Sequence, residues 1–240
     1  DYRPLRRITL AGIGMGSDGG MTWEVRQAIL SADAVFGASR MIEAARHILP
    51  DPCRAGDGNS RPGEDRYRAG AKVRVYEMYR PDEIIGVLEH EVDITYAVIL
   101  FSGDTGFYSG AGEAYDKLRL WDGSATITML PGVSSVSYLA ARLFESYDNA
   151  KLVSLHGRNS LHNIESLADD ITHFPKVFAI MSGAGDLVNV AKVLRKRGIA
   201  ADIFAGSDLS YESEKIEHMT VDEACGYKGS GLITVLFKRI

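Results

Sequence analysis

Arg7-Ile-Thr-Leu-Ala-Gly12-Ile-Gly14-Met-Gly16-Ser17 is a β-rich run that empties into a glycine loop. Thr22 follows as a candidate helix cap, with Val25, Ala28, Ile29 and Ala32 at the i, i+3, i+4, i+7 spacing of one helical face. Ala34–Gly37 then reads as a second strand. Strand, glycine turn, helix and strand in that order make a parallel pair joined by a crossover, the unit from which sheets flanked by helices are built. The glycines invite a dinucleotide-binding reading, which needs GxGxxG and an acid closing the second strand. Here the third glycine comes one residue early, position 17 is serine, and Asp33 precedes the second strand. The better reading is a backbone-lined loop at the carboxyl edge of a parallel sheet, where ligands bind in such folds.

The alternation continues outward. Ser39 is a candidate cap for a helix that Pro50 and Pro52 end, and Val73–Met78 resumes a strand. Pro81 opens a helix at its first turn, and Tyr96–Ser102 has the unbroken apolar character of a strand covered on both faces. Between them, Asp51 to Gly70 carries four glycines and two prolines and reads as a long loop; loops beyond ~12–15 residues are usually functional or disordered. Trp121-Asp122-Gly123-Ser124 is the candidate boundary, dividing residues 1–122 from 123–240. The second half restarts at Thr126–Leu130 and ends on Lys215–Met219 and Leu232–Lys238, with little helix between them. The expectation is an α/β protein of two α/β domains, with mostly parallel sheets flanked by helices and antiparallel strands at the C-terminal end.

The 240 residues carry a net charge of −5 and a pI near 5.7, against the basic face of a nucleic-acid binder. No apolar run is long enough to span a bilayer, and no signal-peptide core follows the polar stretch Asp1 to Arg7. Cys53 and Cys225 form no metal or redox motif, and a reducing cytoplasm is expected. The six histidines show no metal-ligand spacing, and no Ser/His/Asp arrangement stands out.

Two further glycine clusters sit at strand ends. Ser102-Gly103-Asp104-Thr105-Gly106-Phe107-Tyr108-Ser109-Gly110 follows the most apolar strand. Glycines let backbone approach a ligand, Asp104 can direct a carboxylate into a crevice, and Phe107 and Tyr108 offer flat apolar surface. A ligand with a cationic end, hydroxyls and an aromatic base would use all three; alternatively Asp104 caps its own turn and Phe107 is core. Leu130-Pro131-Gly132-Val133-Ser134-Ser135 places two serines at a strand-to-helix junction, where Ser135 could simply be an N-cap.

In this order, the three clusters resemble the tetrapyrrole methylases, and the resemblance runs from Ile8 to Phe237. It implies an S-adenosylmethionine-dependent methyltransferase of two α/β domains with the cofactor in the cleft between them. Ala150-Lys-Leu-Val-Ser-Leu-His156-Gly157-Arg158 and Leu209-Ser-Tyr211-Glu-Ser-Glu-Lys-Ile are similar to the branch of that family that methylates C5 of precorrin-7 or cobalt-precorrin-7 in cobalamin biosynthesis. Position by position, the resemblance implies cofactor contacts from Ser102, Gly103, Asp104, Phe107 and Tyr108, from Ser134 and Ser135, and from Met181 beside the adenine. It implies that Gly14, Met15 and Gly16 face the tetrapyrrole; Met15 stands where the family commonly has proline, which puts the loop's stiffness in doubt. It also implies a homodimer, and a separate protein, in transient contact, for C15 methylation and decarboxylation, since both halves of the chain are used for one cleft. A related methylase of the diphthamide type and a cofactor-binding sensor without catalysis are the alternatives.

An in-line methyl transfer to an activated meso carbon asks mainly for alignment, so no catalytic residue is assigned. His156, in a turn after a strand, is a candidate proton handler, since histidine's ordinary titration lies near neutrality. The substrate that the resemblance implies is an anionic tetrapyrrole, and arginine meets carboxylates in a bidentate way. Arg40 and Arg158 are candidates beside sheet edges, and residues 54–80 hold six arginines and one lysine against four acids.

Overall fold

The structure, a computed structural model, describes residues 5–49, 73–156 and 161–240. The arginines at 54, 61, 66 and 68, the loop from 51 to 70, Cys53 and Arg158 lie outside the described residues. The chain divides into two compact units, Asp1–Ser134 and Ser135–Ile240.

In the first unit, β1 (Arg7–Gly12) leads through the glycine loop to α1 (Trp23–Ser31), whose start is capped by the Thr22 hydroxyl accepting from Val25 N at 3.3 Å. β2 (Ala34–Phe36), α2 (Ser39–Arg46), β3 (Arg74–Tyr76), α3 (Pro81–His90), β4 (Tyr96–Phe101), α4 (Ala111–Trp121) and β5 (Thr126–Leu130) follow. The five strands form one parallel sheet in the order β3-β2-β4-β1-β5. The apolar β4 is its centre, as an unalternating strand should be. Alternate residues serve opposite faces. Val98 and Leu100 pack with Val25, Ile29 and Ile42 beneath α1 and α2, whereas Ala97 and Ile99 pack with Ile84, Leu88 and Leu118 beneath α3 and α4. At the amino edge, buried Arg6 donates to the carbonyls of Leu88 (2.6 Å) and Ile94 (3.2 Å) and so closes the C-terminal end of α3.

Two expectations change here. Ser39 does not cap α2; Ala38 occupies the cap position, and the Ser39 hydroxyl donates to Glu77 at 3.0 Å. Thr126–Leu130 does not open the second unit. It is the edge strand of the first sheet, paired along its whole length with β1, so the division falls between Ser134 and Ser135 and not at 122/123.

The second unit comprises α5 (Ser135–Arg142), β6 (Ala150–Ser154), α6 (Leu161–His173), β7 (Lys176–Met181), α7 (Ala184–Lys196), β8 (Ala201–Ser207), β9 (Lys215–Met219), the short α8 (Val221–Ala224) and β10 (Ile233–Arg239). Its sheet runs β6-β7-β10-β8-β9, with β6 and β7 parallel and β10 antiparallel to both its neighbours. β9 is antiparallel to β8, the antiparallel ending expected from the loss of helix between the last strands. β6, β7 and β8 therefore end at the same edge. Gly198 takes a φ of +68° just past α7, the conformation for which glycine is favoured at that position. The core joins Ile164, Leu167 and Ile171 of α6 to Val177 and Ala179 of β7 and Val235 and Phe237 of β10. No helix among the described residues is long and apolar enough to cross a membrane.

Candidate functional site

The loops after β1, β4 and β5 lie side by side at the carboxyl edge of the first sheet, and main chain locks them together. Gly14 N donates to Gly103 O at 3.1 Å and Gly103 N returns to Gly14 O at 2.6 Å, while Ile13 N meets Phe101 O at 2.9 Å. The Thr105 hydroxyl donates to Leu130 O at 3.2 Å. The approach is so close that a Cβ on Gly132 would stand 2.1 Å from Gly103 O and 2.5 Å from Gly12 O. Gly103, in contrast, has a φ of +68° and open space where its Cβ would be. The three clusters distant in sequence thus form one rigid edge. The stiffness that proline would give at position 15 comes here from the paired hydrogen bonds between Gly14 and Gly103.

Asp104 sits at the end of this edge. Its Oδ1 accepts from Gly106 N at 3.1 Å and its carbonyl accepts from Phe107 N at 3.2 Å, so it does cap its own turn, yet it remains partly exposed. Phe107 and Tyr108 stand edge to face, centroids 4.9 Å apart, and Tyr108 is exposed with a φ of 48°. A non-glycine residue in the left-handed region is uncommon and is held there by its surroundings. Arg40, at the start of α2, donates through Nη2 to the Ser102 hydroxyl at 2.8 Å. The structure therefore brings together one residue expected for substrate and one expected for cofactor. Among the described residues, the other N–H groups of Arg40 have no hydrogen-bond partner.

Not every expected residue presents its side chain. Met15 is 8 % exposed and Met181 0 %, the latter inside the second core. At these positions only main chain is offered, because a strand-end side chain faces inward or outward by its place in the pleat. Ser134 is buried, at 8 % exposure, as the last residue of the first unit. Ser135 is the first residue of α5 and does not act as its cap; its Oγ accepts from the buried Thr234 hydroxyl at 2.7 Å.

At the carboxyl edge of the second sheet, His156 is exposed and its Nδ1 lies 3.4 Å from Ser182 Oγ. Ser182 N donates to Asp186 Oδ2 at 2.8 Å, and Asp186 is 6 % exposed. Neither Ser182 nor Asp186 was singled out by the sequence reading. The signal was the run Ser182-Gly183-Ala184-Gly185-Asp186, a fourth glycine-rich strand-to-helix junction. The carboxylate meets the serine main chain and not the imidazole, so this is not a nucleophile triad. A second unforeseen residue is Glu214, which accepts from Ser210 N and Arg142 Nε, each at 2.8 Å, and from the Tyr138 hydroxyl. Burial alone would push this carboxyl up; the three donors outweigh it and hold the group below the ordinary glutamate range.

Residues 7–225 match the family model described as tetrapyrrole (corrin/porphyrin) methylases. The chain is 26% identical over 218 residues, covering 90% of both chains, to a probable cobalt-precorrin-7 C(5)-methyltransferase of Methanocaldococcus jannaschii. Among solved structures, a precorrin-6Y methylase from Archaeoglobus fulgidus aligns with a TM-score of 0.62 at 18% identity, covering 97% of each chain. A uroporphyrin-III C-methyltransferase from Thermus thermophilus, complexed with S-adenosyl homocysteine, aligns with a TM-score of 0.68 at 20% identity over 96% of each chain.

Proposed function

The chain belongs to the tetrapyrrole (corrin/porphyrin) methylases and is an S-adenosylmethionine-dependent methyltransferase, and from that premise we propose that it methylates C5 of precorrin-7 or cobalt-precorrin-7 in cobalamin biosynthesis. The observation that carries the reading is the carboxyl edge of the first sheet, where three interlocked loops leave Tyr108 and Arg40 exposed and Asp104 partly exposed. The resemblance over 90% of the chain to the archaeal C5 enzyme supports the acceptor.

The residues present fit the cofactor. Gly103 has open space at the Cβ position, so backbone and ligand can meet there. In this reading the Asp104 carboxylate meets the cationic end, Ser102, Ser134 and Ser135 supply polar contacts, and Phe107 and Tyr108 supply flat surface. Bound S-adenosylmethionine supplies an electrophilic methyl group on a sulfonium. The protein's part is to align that methyl with the acceptor carbon and to exclude water, the kind of positioning that contributes on the order of 7–11 kcal/mol in favourable cases. Arg40, steadied by Ser102, holds a substrate carboxylate, while the Gly14–Gly16 main chain lies against the macrocycle. A homodimer is the working assembly, an expectation carried by family membership alone; a monomeric mass by light scattering across a broad concentration range would reject it.

The decisive assay supplies S-adenosylmethionine with precorrin-7 and, separately, with cobalt-precorrin-7, and locates the new methyl by mass spectrometry and NMR. One methyl group at C5 is expected. Transfer to another carbon, or none with either macrocycle, would reject the acceptor while leaving the family standing.

A further inference from the structure

The carboxyl edge of the first sheet runs on past the three interlocked loops, to the connections that leave β2 and β3. These strands are parallel neighbours in register, Phe36 opposite Tyr76, with the two rings stacked 4.8 Å apart. Four residues beyond each partner stands an arginine: Arg40 in the first turn of α2, and Arg80 directly before α3. α2 and α3 pack on opposite faces of the sheet, so the two connections diverge as they leave the edge. Arg40 belongs to the site already described. The connection from Glu77 to Arg80 does not.

Arg80 is exposed and, among the described residues, has no hydrogen bond, ion pair or ring contact. Every other described arginine of the first unit has one. Arg74, at the amino end of β3, is taken up by Glu91 at 2.8 Å and Asp93 at 3.0 Å. The acids near Arg80 in the chain are occupied as well. Glu77 accepts from Ser39 Oγ at 3.0 Å and Arg46 Nη2 at 3.4 Å, and Asp82 pairs with Lys117 at 3.1 Å. Local stability does not ask for a cation here. Arg80 holds the N-cap position of α3, where a short polar side chain would cap and a positive charge opposes the helix dipole; it makes no side-chain cap bond. Its main chain, in contrast, is fixed. Pro81 restricts it to the extended region, with φ −78° and ψ 126°, and its carbonyl accepts from Glu83 N and Ile84 N, each at 3.1 Å. A stiff backbone thus presents a guanidinium that the fold does not use.

Aromatic rings gather at the same edge. Among the described residues of the first unit, the aromatic side chains more than half exposed are Trp23, Tyr79 and Tyr108, and each follows the carboxyl end of a strand. The exposed aliphatic side chains Leu5, Val92 and Leu120 lie instead at the amino edge. Exposed rings beside a guanidinium without a partner suit a flat conjugated ligand rimmed with carboxylates. We propose that Tyr79 and Arg80 form a second substrate contact on the first unit, with Arg80 binding a different carboxylate of the macrocycle from the one held by Arg40 and Tyr79 lying against the ring. The edge then reads the spacing of two acid side chains. This rests on the reading of an anionic tetrapyrrole substrate, and the test separates it from the choice of acceptor.

The probe is uroporphyrin III, titrated into the full chain by fluorescence at several salt concentrations. Arg80→Gln should weaken binding about tenfold, the effect of losing one charge-assisted contact, and should flatten the salt dependence. Arg80→Lys should recover part of the loss, and Arg119→Gln, which removes a charge near the amino edge, should change nothing. Tyr79→Ala should weaken binding, and Tyr79→Phe should not. The losses of Arg40→Gln and Arg80→Gln should add in the double variant, as they do for independent contacts. With S-adenosylmethionine and precorrin-7, Arg80→Gln should raise KM for the macrocycle while KM for the cofactor stays in place, a split that a merely structural role would not give. Arg80→Gln that binds uroporphyrin as wild type does overturns the proposal, as does a double variant no weaker than Arg80→Gln alone, or a wild type that binds no carboxylated macrocycle. Binding that depends on Arg80 in a chain that methylates neither precorrin-7 nor its cobalt form overturns the acceptor and leaves the second contact standing.

Discussion

Gly132 and Gly103 are neighbours in space with opposite reasons for being glycine. A Cβ at 132 would press 2.1 Å from one carbonyl and 2.5 Å from another, both backbone, with no flexible side chain able to yield. Gly132→Ala should therefore cost roughly 2–4 kcal/mol, visible as a lower urea midpoint. At 103 the space is open and only the φ of +68° resists, so Gly103→Ala should cost about 1–2 kcal/mol. Equal losses would show that the loops are not interlocked as described. Asp104 separates capping from ligand binding. Asp104→Asn keeps an oxygen for Gly106 N and removes the charge, so stability should hold while calorimetric affinity for S-adenosylmethionine falls about tenfold, the effect of losing roughly 1.5 kcal/mol of charge-assisted contact. Normal affinity would remove Asp104 from the cofactor. The place of Asp104 on this edge was legible, because it follows directly on the unbroken apolar run of β4; that it caps its own turn was one of the two readings left open. The burial of Met15 and Met181 was not legible, since inward or outward facing depends on a pleat phase that a loop boundary hides. Nor was the partner of Ser135, a threonine 99 residues away.

Elements were legible wherever local pattern decides them. Thr22 and Pro81 start their helices as caps and first-turn residues should, and β4 declared its central place by its unbroken apolar run. Assignment of β5 failed because Asp122-Gly123-Ser124 resembles any linker; what claims the strand is pairing with β1, and no local pattern encodes a contact 119 residues away. The clamp at Glu214 is of the same kind. It ties the turn after β8 to α5 through Ser210, Tyr138 and Arg142. Because the folded carboxyl is held below its ordinary value, the unfolded chain takes up the proton first as pH falls. The clamp's contribution is complete above the ordinary glutamate value of about 4.3 and is lost as pH drops through the lowered folded value. Glu214→Gln should destabilise by about 1–2 kcal/mol at neutral pH, and its stability should converge on wild type in acid. Denaturant titrations of both proteins across pH 7 to 3 read this directly, and a constant difference at every pH would reject a charged clamp.

At the scale of the whole molecule, the two cofactor readings of the glycine loop make opposite forecasts. A dinucleotide site needs a helix N-terminus directly behind the glycines to face the pyrophosphate, and a free carboxylate at the carboxyl end of the second strand. Here Gly16, with a φ of +103°, is followed by a single short turn at Asp18–Gly20, and α1 starts only at Trp23. Asp33 lies at the opposite, amino end of β2, and its Oδ2 already accepts from Thr95 N, the Thr95 hydroxyl and Tyr96 N. Nothing in that arrangement rewards NAD. A ligand that binds only the folded chain stabilises it by about 2.7 kcal/mol at a hundredfold excess over its Kd. In a chain of 240 residues each kcal/mol moves the midpoint roughly 2–4 °C. S-adenosylmethionine and S-adenosylhomocysteine should therefore raise the melting midpoint by about 5–10 °C at that excess. NAD at the same concentration should leave it in place. A shift with NAD and none with the sulfonium cofactor or its demethylated product would mean that the three interlocked loops serve a different ligand, and the assignment of Asp104, Phe107 and Tyr108 would fall with it.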